Sequence, residues 1–206
     1  MKKELTVMKA VLKADYDRHV KRFSEIKEFH GSILLGDSMM AYFPLSTADM
    51  GREVLNFGIP GDTTEGVLNR LKQVIDLKPS TVWIHIGSND LVLSELSKAE
   101  IAGNILGIRD ILVHTLPGVN VYVISITPVL RDHPISNMRY IEWRTNDDIR
   151  EINQMVQEQL MKNEYINISD LLADDTGSLK HMYTVDGIHL NGEGYQVMIH
   201  ELIKTI

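Results

Sequence analysis

The amino-acid sequence predicts an α/β fold, a three-layer α/β/α sandwich built on a five-stranded parallel sheet. Three observations predict it. Short apolar runs rich in β-branched residues recur along the chain and end near Gly or Pro, the pattern of buried parallel strands. Segments with apolar residues three or four apart lie between them, as amphipathic helices require. Polar, glycine-containing segments follow the strand ends, where open α/β sheets bind ligands.

The first thirty residues read as helix. Leu5, Met8, Leu12, Tyr16, Val20, Phe23 and Ile26 form one apolar stripe, with Asp15 a candidate interruption. The polar face carries both signs of charge, which favours packing on protein over lying on a membrane surface. Strands are expected at Ser32–Leu35, Val54–Asn56, Thr81–Ile86, Val121–Ile126 and Tyr165–Ile168. Helices are expected from Thr64 to Leu77, Ser97 to Leu116, Glu142 to Met161 and Gly192 to Ile206. Ser97 with Glu100 three residues on is a capping-box pattern. Strands that alternate with helices give a parallel sheet covered on both faces, here a flavodoxin-like sandwich.

A chain of 206 residues is long enough for one substantial core and short for two. Residues 1–206 are read as one domain, with 1–29 a helix that covers the core or contacts a second subunit. Apolar residues are 44% and charged residues 24% of the chain, which argues against disorder. The net charge of −7 and the scattered Lys and Arg give no phosphate-binding surface, so nucleic acid is not an expected partner. Arg131, Arg139 and Arg144 are the exception, gathered in one late segment. With no cysteine, disulfides, thiol catalysis and cysteine metal sites are excluded. The N-terminus has charges where a secretory signal needs an apolar stretch. No run approaches the roughly 18 apolar residues of a membrane span. The expected location is the cytoplasm, without stable membrane insertion.

Three polar segments follow strand ends: Gly36-Asp37-Ser38, Gly58-Ile-Pro-Gly61-Asp62-Thr63 and Gly87-Ser88-Asn89-Asp90. A fourth, Asp186-Gly187-Ile188-His189, precedes the last helix. Together they contain what acyl transfer needs. A serine hydroxyl requires a base, and imidazole serves near neutral pH. A carboxylate on the other ring nitrogen fixes the tautomer. Ser38 is the candidate nucleophile, His189 the base and Asp186 its orienting carboxylate, three residues apart on one turn of chain. The Ser38 N–H, the Gly61 N–H and the Asn89 amide are candidate donors to the oxyanion.

These four blocks resemble those of the SGNH (GDS-type) hydrolase family, in its order, from about Gly31 to the end. The stretch Asn56 to Thr64, followed by Val67-Leu68 and Arg70-Leu71, is especially similar to the catalytic subunits of platelet-activating-factor acetylhydrolase. Met39 follows Ser38 where leucine is common, a change in a packing residue. The resemblance implies the SGNH three-layer fold and cofactor-free, metal-free ester hydrolysis. It further implies Ser38 as nucleophile, an oxyanion hole of Ser38, Gly61 and Asn89, and Asp186 orienting His189. It points to a small-molecule ester with an acetyl or short acyl group on a lipid or sugar. Because the related acetylhydrolase subunits pair, it also points to a homodimer.

Other readings stay open. Ser38 and Asn89 are also good helix-cap residues, and Asp37 and Asp90 suit turn-bonding roles. His85 reads as a satisfied core or rim histidine, and His181 as a residue near the pocket. A divalent ion on Asp37, Asp90, Asp186 and His189 would make a phosphoesterase, and a silent member of the fold would be a binding module. Arg139 and Trp143 are candidate substrate contacts in the segment after the fourth strand, where an Arg can meet an anionic group.

Overall fold

The computed structural model describes residues 2–206, with side chains from Val11 onward. The apolar positions Leu5 and Met8 of the first helix therefore lie outside the described side chains. In chain order the elements are α1 (Lys2–Ser24), β1 (Ser32–Gly36), α2 (Ser38–Ala41), β2 (Val54–Gly58), α3 (Thr64–Asp76), β3 (Thr81–His85), α4 (Asp90–Leu93) and α5 (Lys98–Thr115). There follow β4 (Asn120–Ile124), α6 (Met138–Ile141), α7 (Asn146–Gln157), β5 (Tyr165–Ile166), α8 (Ser169–Leu172) and α9 (Gly192–Ile203).

The strands form one five-stranded sheet in the order β2-β1-β3-β4-β5, and every pair is parallel. Side chains alternate across it, as the two-residue period of a strand demands. Ile33, Leu35, Val82 and Ile84 point to a layer made by α1, α3, α5 and α7. Leu34 and Trp83 point to the opposite layer, made by α2, α8 and α9. The described part of α1 packs on its own domain. Phe23 stacks on Phe57 with ring centres 4.2 Å apart, and the Tyr16 hydroxyl donates to Gly66 O at 2.7 Å.

Local chemistry explains the boundaries. Asp15 does not interrupt α1; its carboxylate pairs with Arg18 on the helix surface. The capping box forms, with Ser97 and Glu100 satisfying each other's backbone N–H groups. The helix expected from Glu142 begins instead at Asn146, because the Thr145 side chain caps it by accepting the Asp148 N–H. The chain before it folds separately as α6, and Arg131 donates to the carbonyls of Ile141, Glu142 and Arg144. The fifth strand pairs over two residues only, since Ser169 N–H turns away to the Ser125 hydroxyl at 2.9 Å.

Two features of the sheet set the height of the site. Gly36, Gly58 and His85 lie on one rung, so three loops leave the sheet at the same level. A side chain at Gly58 would sit 2.1 Å from the Ala41 backbone nitrogen; its absence lets α2 rest directly on the end of β2. Among the described residues, no helix is long and apolar enough to cross a membrane.

Candidate active site

Ser38 is the first residue of α2, at the carboxyl end of β1. The cap is Asp37, whose carboxylate accepts the Met39 N–H at 2.9 Å. Ser38 is thus one residue past the cap position. Its hydroxyl is left for other chemistry, and its N–H, as at any first helical position, has no intrahelical acceptor.

His189 reaches it from the loop before α9. The ring Nε2 is 3.1 Å from Ser38 Oγ, and Nδ1 is 2.7 Å from Asp186 Oδ2. A carboxylate only accepts, so Nδ1 carries the proton and Nε2 accepts from the serine hydroxyl. Asp186 Oδ1 accepts the backbone N–H groups of Ile188 and His189 at 3.1 and 2.8 Å. Burial pushes the Asp186 carboxyl up, but the hydrogen bonds from the His189 ring and backbone outweigh it, and the net shift is downward. Asp186 is therefore ionised at neutral pH. Tyr42 and Tyr140 set their rings edge-on to the imidazole, at 5.4 and 5.8 Å.

Two further loops face the serine. Gly61 has φ +78, a conformation that glycine adopts without strain. The next residue, Asp62, is buried and takes the Arg70 guanidinium at 2.8 and 2.9 Å. Arg70 also donates to Gly36 O at 3.1 Å, which ties the Gly61 loop to β1. Asn89 is the cap residue of α4 but makes no capping bond with its side chain. Its Nδ2 donates to Asp62 O at 3.0 Å, and its Oδ1 accepts from Arg144 Nη2 at 2.7 Å. One amide proton remains for the cleft.

Ser38, Gly61, Asn89 and His189 line one cleft of about 330 Å³. Val11, Leu12, Val92, Leu93 and Ile188 supply its apolar walls, and Arg139, Tyr140 and Arg144 also line it. Trp143 does not; it is 57% exposed and outside the lining, because α6 ends at Ile141 and the chain turns to bury Arg144 instead. His181 stacks on His133 at 5.4 Å, away from the lining residues. His85 is buried but is not satisfied: neither ring nitrogen has a hydrogen-bond partner. Its Nδ1 is 3.5 Å from Asp37 Oδ1, an atom already engaged by Met39 N–H.

Asp90 bonds turn backbone as expected, accepting the Thr64 N–H and hydroxyl. Burial raises its carboxyl to about 6. Among the described residues, no group of three or more His, Asp or Glu is placed to hold a metal ion. The contributions of Arg70 and Tyr42 were not anticipated, whereas Tyr140 and Arg144 belong to the segment after the fourth strand in which substrate contacts were expected. Arg70 had a signal, since it lies among Val67, Leu71 and Val74 on the apolar face of its helix.

Known proteins resemble this chain to different degrees. N-acylneuraminate cytidylyltransferase of Escherichia coli O18:K1:H7 is 24% identical over 93% of this chain, and the chain spans 44% of that protein's length. The human platelet-activating factor acetylhydrolase IB subunit alpha2 is 28% identical over 84% of this chain and 76% of its own. A Streptococcus pneumonia protein provisionally assigned as a platelet activating factor has the same fold, with TM-score 0.86 and 24% identity over 99% of this chain and 98% of that one. The model of the GDSL-like lipase/acylhydrolase family matches residues 34–197, a span that holds Ser38, Gly61, Asn89, Asp186 and His189, and the chain belongs to that family.

Proposed function

We propose that this protein hydrolyses carboxylic esters through an acyl-enzyme on Ser38. The observation that carries the reading is the continuous chain from Asp186 Oδ2 through both His189 nitrogens to Ser38 Oγ, with contacts of 2.7 and 3.1 Å. In the first step His189 Nε2 takes the hydroxyl proton as Ser38 Oγ bonds to the ester carbonyl carbon. The carbonyl oxygen becomes an oxyanion, met by the Ser38 and Gly61 N–H groups and the Asn89 amide. Collapse breaks the ester C–O bond, and His189 gives its proton to the leaving alkoxide. Water then repeats the sequence, with His189 as base, and releases the carboxylic acid.

The similarity to an acetylhydrolase subunit favours acetyl or short acyl groups, and lysophospholipid-like lipids, acetylated sugars and simple acyl esters are the candidate substrates. Arg139, lining the cleft, is the candidate contact for an anionic group on the alcohol part. The cytoplasm is the proposed location.

The test is release of p-nitrophenol from acetyl, butyryl and octanoyl esters by the purified protein and by Ser38→Ala, with and without chelator. Saturable turnover abolished by the substitution and untouched by chelator supports the reading. Equal turnover by Ser38→Ala removes it. A serine-directed phosphonate that fails to label the wild-type protein moves the reading to a binding module of the same fold.

A further inference from the structure

We infer that Arg144 is a positioning residue for the oxyanion hole, acting through Asn89; this rests on the ester-hydrolysis reading above. Arg144 lies in the segment between α6 and α7 and is 4% exposed. Burying a guanidinium is costly unless an opposite charge offsets it. Yet among the described residues no carboxylate is within salt-bridge contact of Arg144; the buried Asp37 carboxylate acts on it only at longer range. The Arg144 bonds go to neutral oxygens: Nε to Ser88 O and Oγ at 3.0 and 3.1 Å, Nη1 to Tyr140 O, and Nη2 to Asn89 Oδ1 at 2.7 Å. Burial pushes the guanidinium down to about 10, which leaves it charged at neutral pH.

A buried cation that no carboxylate contacts, with Asp37 acting only at longer range, sits one hydrogen bond from an oxyanion donor and is arranged for a negative charge that appears later. The oxyanion of the tetrahedral intermediate is that charge. Arg144 acts on it in two ways. A guanidinium only donates, so Asn89 must turn its oxygen toward Arg144 and its Nδ2 toward Asp62 O and the cleft. Drawing electron density toward Oδ1 also makes the remaining N–H a stronger donor. Both effects grow as the carbonyl becomes an oxyanion, so they act on kcat more than on ground-state binding.

The test is a double-mutant cycle on p-nitrophenyl acetate turnover, with Arg144→Met, Arg144→Lys, Asn89→Ala and the Arg144→Met/Asn89→Ala pair. Arg144→Met is expected to lower kcat about ten- to a hundredfold, somewhat less than loss of a whole oxyanion donor, with KM within about threefold. Arg144→Lys, which keeps the charge but not the fork, falls between it and wild type. In the Asn89→Ala background, Arg144→Met adds less than about threefold, because residues acting as a unit are not additive. Losses that multiply, or a change in KM with kcat unmoved, overturn the proposal. A second readout is independent of turnover. In ¹⁵N-labelled protein, the Asn89 side-chain amide signals, assigned by their loss in Asn89→Ala, are expected to shift in Arg144→Met while the rest of the spectrum stays dispersed. Unmoved Asn89 signals overturn the contact. Full turnover by Ser38→Ala overturns the hydrolase reading instead, and the amide signals still report on Arg144.

Discussion

His189 is held to Asp186 twice, once by its ring and once by its own backbone N–H, at 2.7 and 2.8 Å on different oxygens of the same carboxylate. The carboxylate thus sets the tautomer of the imidazole and the path of the chain that carries it. In Asp186→Asn the amide oxygen can still take the backbone N–H. Its NH₂ then faces Nδ1 and drives the proton to Nε2, where the serine needs an acceptor. The expected outcome is a fall in kcat of about 10³–10⁴ with little loss of stability, read from kinetics and a thermal melt on the same preparation.

Gly61 gives a different pattern. Alanine there must hold φ near +78, at a cost of about 1–2 kcal/mol. Its methyl group meets Leu12 Cδ2 at 2.6 Å, which a flexible leucine terminus relieves by turning aside. Gly61→Ala is expected to lose about 1–2 kcal/mol in urea denaturation and to lose activity disproportionately, tenfold or more in kcat, as the loop N–H re-aims.

Asp90 makes stability depend on pH. Burial raises its folded carboxyl to about 6, above the ordinary value near 3.9. Between those values the folded state holds a proton that the unfolded state has released. Stability from this group is therefore full below about pH 4 and is lost as pH rises to about 6. The amount is on the order of 1–3 kcal/mol. Burial raises Asp62 in the same direction, so the wild-type slope alone does not isolate Asp90. The difference between wild type and Asp90→Asn in urea midpoints at pH 4, 5, 6 and 7 does, and it is expected to change across that window and flatten above it.

Arg139 and Trp143 divide. Arg139 lines the cleft and Trp143 does not. On a pair of acetyl esters that differ only by a carboxylate on the alcohol part, Arg139→Ala is expected to lower kcat/KM for the anionic ester several-fold and to leave the neutral one unchanged. Added salt is expected to shrink the difference, since the side chain is exposed. Trp143→Ala leaves both esters unchanged.

Much of this was legible in the sequence. Continuous apolar runs such as Ile33-Leu34-Leu35 and Val82-Trp83-Ile84 marked strands buried on both faces, and the polar segments after strand ends placed Ser38, Gly61 and Asn89 on one rim. Three arginines in one segment were not separable. Arg131 holds the carbonyls of its own segment, Arg139 lines the cleft from an exposed position, and Arg144, on the same lining, is buried against Ser88 and Asn89. Which way each points depends on where α6 stops, and that is set by carbonyls about ten residues from Arg131 in the chain. The start of α7 was misplaced because its apolar rhythm runs upstream of Thr145, while the cap that ends it is a single polar residue. His85 was read as satisfied because composition cannot show that its ring stops 3.5 Å from the nearest carboxylate oxygen, without a hydrogen bond.

The contact of α2 with Gly58 bears on how the protein tolerates change. Ala41 nitrogen stands where a Gly58 side chain would be, so backbone meets backbone beneath the serine. Altered side chains elsewhere in the interior can reshuffle without moving that support. The scaffold therefore leaves the cleft walls and the segment after β4 free to drift, while Ser38 keeps its place.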